Sequence, residues 1–150
     1  MLNMGKQQIL INSVQIAFYF RLVRIDTQTD KFITAIACRK KAGVEMDFKL
    51  EWDAFRFLLF HKMFAMLGYN KEREPILTLK LPPEEGTWYR EEYDFITEGY
   101  YMNKVHWISV RYEETDQQLL AELMDKSYEH FLHTLTKKQQ QQIYELQHGK

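Results

Sequence analysis

The sequence predicts a single α+β domain in its 150 residues, and three features of the apolar pattern carry that expectation. Two apolar runs, Trp52–Leu59 and Met63–Leu67, are separated only by the short connection His61-Lys62, as the two arms of a β-hairpin would be. Apolar and polar residues then alternate over Ile76–Leu81 and again over Trp107–Tyr112, the period of a strand. Finally, Leu119, Leu120, Leu123, Met124, Ser127, Tyr128, Phe131, Leu132 and Leu135 keep i, i+3/i+4 spacing for over four turns, which is the stripe of an amphipathic helix lying on a sheet.

Taken along the chain, Phe32, Ile33, Ile36 and Ala37 line one face of a first helix over 27–41, with Asp26 or Thr27 at its start and Gly43 at its end. The hairpin follows, and the polar stretch 68–74 leads to Pro75, which opens the third strand with Leu77, Leu79 and Leu81 directed at the core. Pro82 and Pro83 end that strand. Pro83 followed by Glu84 and Glu85 starts a short helix to about Tyr93, because proline suits the first helical turn and carboxylates favour the dipole there. The fourth strand begins at Trp107, whose ring the alternation with Ile108 predicts to be buried. Thr115 or Asp116 caps the long helix, and Gln-rich 137–147, with Ile143 and Leu146, forms a terminal helix that frays.

A chain of this size, 45% hydrophobic and 15% aromatic, has enough apolar surface for one packed core without disulfides or metals. Twenty Lys and Arg against twenty-one Asp and Glu exclude the overall positive field of a strong non-specific nucleic-acid binder, so any DNA contact must be local. A lone cysteine, Cys38, excludes an internal disulfide framework and fits the cytoplasm. The apolar stretch 9–25 is interrupted by Asn12, Ser13, Gln15, Arg21 and Arg24, so neither a membrane span nor a secretion signal is expected. Residues 1–26 are read as an extension, either an extra strand or helix packed on the domain or, as the leading reading, a segment not native to it, and 27–150 as the domain itself.

The strings HKMFAMLG (61–68), PILTLKLPPEEG (75–86) and REEYDFITEGYYMNKVHWISV (90–110) resemble the MmcQ/YjbR family in order, spacing and content. The most specific part is Gly99-Tyr100-Tyr101-Met102-Asn103-Lys104-Val105-His106-Trp107, followed by a helix whose Glu122-Leu123-Met124-Asp125-Lys126-Ser127-Tyr128 also has a family counterpart. Residues 38–57 resemble the family's helix end and first-strand region, with Ala42 where proline is frequent; Phe60-His61 replaces the usual pair of small residues before KMFA. The resemblance covers about residues 27–140. It implies a double-wing, frataxin-like (CyaY-like) fold, an antiparallel sheet with helices packed on one face, and it implies DNA binding without enzymatic activity. The frataxin-like shape also raises iron binding, but the first helix carries only Asp26 and Asp30 as acids.

Asn103, Lys104, His106 and Trp107 sit between a predicted helix and a strand, where ordered neighbours hold exposed side chains, and they form the leading candidate site. Asn and Lys suit phosphate or base-edge contacts, and a flat Trp ring can stack. The competing reading makes Asn103 a turn support and His106 and Trp107 core residues. Lys62, Lys80 and Arg111, with Arg56 and Arg90, come from separate elements and join the site only if the fold gathers them; Glu84, Glu85, Glu91, Glu92, Asp94 and Glu98 would repel phosphate nearby. His130 and His133 share a helix face with Glu129, too few ligands for a metal, and Cys38 and Ser109 have no activating partner, so no catalytic residue, cofactor or metal is expected. The reading is a protein, monomeric by default with its oligomeric state left open, that binds DNA or another anionic partner. Its alternative is a protein-interaction or small-ligand module using an aromatic surface of Trp107, Tyr100 and Tyr101.

Overall fold

A computed structural model gives the fold of the protein and is described for residues 9–10 and 41–149. Seven antiparallel strands form one sheet: β1 (Ile9–Leu10), β2 (Val44–Lys49), β3 (Ala54–Leu59), β4 (Lys62–Tyr69), β5 (Pro75–Lys80), β6 (Ile96–Glu98) and β7 (Trp107–Val110). Their spatial order is β1-β2-β3-β4-β5-β7-β6, a meander as far as β5, after which the chain makes the outer strand β6 and returns to place β7 beside β5. Helices α1 (Pro83–Glu92), α2 (Gln117–Thr134) and α3 (Lys137–His148) complete the α+β architecture. The predicted helix over 27–41 lies outside the described residues, as does most of the extension 1–26; Ile9 and Leu10 of that extension pair with Phe48 and Asp47.

Among the described residues, seven strands stand where four are predicted. β1 and β6 are two and three residues long, too short to display a period. β2 does display one, with Val44, Met46 and Phe48 alternating with Glu45, Asp47 and Lys49. The strand predicted over Trp52–Leu59 begins instead at Ala54, because Leu50–Trp52 coil into a 3₁₀ turn that ends at Asp53 in a left-handed conformation, leaving Trp52 exposed. Lys62 belongs to β4, so the hairpin loop is Phe60-His61, both with positive φ (48° and 63°), as a two-residue type I′ turn requires. Neither residue is suited to that region. Because the His61 side chain is 79% exposed and its only ion-pair partner among the described residues is Glu45 at 3.4 Å, His61→Gly is expected to raise stability by about 1 kcal/mol. A urea midpoint that fails to rise would show that the turn carries no such strain.

The register sorts the strand residues into two faces. Phe48, Phe55, Leu67, Leu77 and Val110 lie on the face that meets the helices, where Leu120, Leu123, Met124, Tyr128 and Phe131 of α2, Tyr89 of α1 and Ile143 of α3 close one apolar core. All three described helices therefore pack on a single face, as expected. A bulge in β4 sets Phe57 opposite Ala65 but Leu58 opposite Met63. The extra residue, Phe64, is thereby turned onto the helix face, where its ring meets Tyr128 and Phe131 and its carbonyl accepts from Ser127 Oγ at 3.1 Å. The opposite face carries Asp47, Arg56, Met66, Thr78 and Ser109 in one row across the sheet. Ile76 and Thr78 are buried too, so β5 is covered on both faces rather than half exposed.

The caps follow from sequence. Asp116 accepts from Leu119 N at the start of α2, and Thr136 with Gln139 makes a reciprocal capping box at the start of α3. Gly43 is left-handed at φ 77°, and a side chain there would overlap Ile143 of α3. No described helix is long and apolar enough to cross a membrane.

Candidate nucleic-acid interface

Residues 99–106, between β6 and β7, fold back over the face of the sheet that carries Ser109. Gly99 N donates to Trp107 O at 2.8 Å, and a Cβ on Gly99 would stand 2.4 Å from Trp107 Cβ, so this close approach admits only glycine. Tyr100 N donates to Ser109 Oγ at 2.9 Å, and that hydroxyl is also bonded to Thr78 Oγ1 at 2.8 Å. At the other end of the loop, Leu81 N donates to His106 O, tying it to the end of β5. Asn103 organises the middle: its carbonyl accepts from His106 N and Trp107 N, and its side-chain oxygen accepts from Val105 N at 2.9 Å. This is the turn-supporting role.

Lys104 and His106 are exposed on this ordered backbone. Lys104 Nζ lies 4.0 Å from Glu98, whose other oxygen accepts from Arg90 at 3.3 Å, so one carboxylate is shared by two cations. Lys80 is the register partner of Trp107; its ammonium lies 5.7 Å from the Phe131 ring, and it has no carboxylate partner among the described residues. His130 of α2 faces the same corner. Burial, then the charges of Lys80, His106 and His133, hold its imidazolium below the ordinary range, with Glu85 acting in the opposite direction.

The remaining candidates divide. Trp107, the first residue of β7, is half-buried rather than buried. Lys62 is exposed at the turn end of β4, the end of the sheet at which β5 finishes, but it belongs to a different loop. Arg111 does not join the site. It lies beyond the far end of β7, paired with Glu114 and with Glu74 at 3.8 Å, and it donates to Asp94 O. These bonds raise its proton affinity and spend its charge internally. Arg56 is likewise consumed by Asp47.

The sequence reading missed a second feature. Tyr101, 82% exposed and left-handed at φ 62°, does not build an aromatic surface with Trp107; together with Met102 it walls a cleft of about 680 Å³ whose other sides are Trp52, Tyr69 and Arg73. The Tyr100 ring backs Tyr101 at 4.1 Å, and the hydroxyl–hydroxyl bond between them pushes the Tyr100 phenol up to about 12. Three separate segments supply this cleft, so no local motif signals it.

An antiparallel meander backed by helices, with a long self-bonded loop before its inner strand β7, defines a distinct α+β class. The chain belongs to the YjbR family, whose model matches residues 39–130. It is 34% identical over 94 residues to the uncharacterized protein YbdF of Escherichia coli O157:H7, covering 62% of this chain and 75% of that protein. Among solved structures it is similar to Deinococcus radiodurans protein DR2400, a DUF419 domain, with a TM-score of 0.60 and 25% identity over 71% of this chain and 81% of that one. A Pseudomonas syringae protein shares the fold at a TM-score of 0.52 and 22% identity, over 78% and 96% of the two chains.

Proposed function

We propose that this protein is a non-enzymatic, cytoplasmic DNA-binding module that meets phosphate at the corner formed by Lys80, Lys104 and His106. The observation that carries this reading is that Lys80 at the end of β5, and Lys104 and His106 in the loop, stand on backbone fixed by the Leu81–His106 and Gly99–Trp107 bonds. Ordered cations lose less entropy on meeting phosphate, and Lys80 has no described acid to give up. Glu98 tempers the field at Lys104, which favours a modest, salt-sensitive affinity. The absence of catalysis is supported by Ser109, whose hydroxyl is buried and committed to Thr78 and Tyr100.

Titration of a duplex oligonucleotide at several salt concentrations tests this. Lys104→Ala and Lys80→Ala are each expected to lower the magnitude of the log–log salt slope by about one unit, whereas Arg111→Ala leaves it unchanged. Wild-type affinity weaker than about 10⁻⁴ M at physiological salt, or equal slopes for all three variants, would sink the proposal.

A further inference from the structure

On the sheet face away from the helices, the cleft beside Tyr101 has a composition unlike the rest of the surface. Trp52, 48% exposed, rises on one side from the 3₁₀ turn before β3, and Tyr101, 82% exposed, rises on another from the loop. Between them the floor is Met66 and Gly68 of β4. Gly68 keeps that floor low, since a Cβ there would already stand 3.2 Å from Ala54 Cβ. Lys49 and Arg56 each stand 5.7 Å from the centre of the Trp52 ring, and Glu51, Lys71 and Arg73 add charge to the lining. Arg73 stacks its guanidinium over Tyr69 at 4.3 Å while bridging to Asp53 at 3.1 Å, and Lys71 has no carboxylate partner among the described residues.

Exposed aromatic side chains cost solvation free energy, and a left-handed tyrosine adds backbone strain; both persist at Tyr101. A volume of about 680 Å³ is in the range of small-ligand pockets. Flat rings on two walls favour a flat ligand, thioethers beneath favour a polarisable one, and an unpaired ammonium at the edge favours an attached anion. We infer that this cleft is a nucleobase site, stacking one unpaired base on Trp52 and Tyr101 and holding the adjoining phosphate at Lys71 and Arg73. The inference extends the DNA reading to single strands but stands on residues that the phosphate corner does not use.

The ligand chemistry has two sources, a free mononucleotide or one base of a single strand, and titrations of the full-length chain distinguish them. The probes are a deoxynucleoside, its 5′-monophosphate, a short single-stranded oligonucleotide and the matching duplex, each followed by tryptophan fluorescence. Stacking on Trp52 should quench emission, and Trp52→Phe should remove that quench while Trp88 and Trp107 still report. Tyr101→Gly removes the ring and relieves the positive φ. It should therefore be at least as stable as the wild type, yet bind the single strand about 5- to 150-fold more weakly. Lys71→Ala should weaken the monophosphate and leave the nucleoside unchanged. Quenching by the monophosphate identifies a free nucleotide as sufficient, and quenching by the oligonucleotide alone identifies the strand; either supports the inference. It is overturned if no probe quenches Trp52, if Tyr101→Gly binds as the wild type does, or if duplex binds as well as single strand at this cleft. Those outcomes leave the Lys104 salt slope on duplex untouched, so the two readings fail separately.

Discussion

Arg56→Met is expected to destabilise the domain by about 3–5 kcal/mol, the cost of leaving a buried carboxylate without its cation. Asp47 is fully buried on β2, and Arg56, its register partner on β3, donates Nε to Oδ1 at 2.8 Å and a second nitrogen to Oδ2 at 2.5 Å. Such a two-pronged bond has no substitute in methionine. The hydrogen bond to Asp47 is the main reason that the Arg56 proton affinity is raised, offset in part by desolvation. Converting both partners, Asp47→Val with Arg56→Met, should recover much of the loss, because two apolar side chains leave no unpaired charge behind. Urea unfolding of the single and double variants measures this. A single-variant loss under about 1 kcal/mol would mean that Asp47 is rescued by water or by Lys49, and that the pair contributes little.

Phe64→Ala should cost a comparable 3–5 kcal/mol, for a different reason. The ring is completely buried, 6.1 Å from Tyr128 and 5.9 Å from Phe131, and it is the bulge that brings it there. Truncation empties the space between β4 and α2 that no neighbour can fill without moving the helix, while the Ser127 bond to the Phe64 carbonyl remains. If the denaturant midpoint shifts by less than a third of the expected amount, α2 has collapsed onto β4 and the bulge is not a packing device.

Much of the architecture is legible in residue periodicity. The Leu77, Leu79, Leu81 face, the α2 stripe and the Pro83 start of α1 each emerge where the pattern puts them, because burial against one partner surface enforces a single period. The Trp52 assignment fails because aromatic content alone does not distinguish a strand from the tight turn preceding it, and the left-handed Asp53 that divides them leaves no mark in composition. Loop residues 99–107 stand out as a motif, and Gly99 and Asn103 are explained by its internal bonds. Which cations join it depends on register: Lys80 is brought in by pairing with Trp107, whereas Arg111, on the same predicted strand, is carried to the other end and neutralised. The cleft at Tyr101 depends on three loops meeting across β4, which no single window of sequence records.

The placement of β7 between β5 and β6 has a kinetic consequence. Strands β2 to β5 join through short hairpins and can assemble from local contacts, whereas pairing Lys80 with Trp107 requires the whole intervening segment, α1 and β6 included, to close on itself first. The loop bearing Lys104 and Tyr101 takes its shape only when that closure is complete, because Gly99 and Tyr100 are anchored on Trp107 and Ser109 of the incoming strand. The loop that carries Lys104 and Tyr101 is thus shaped in a late, non-local step of assembly, and a chain halted with only its meander formed would have the sheet without that loop in place.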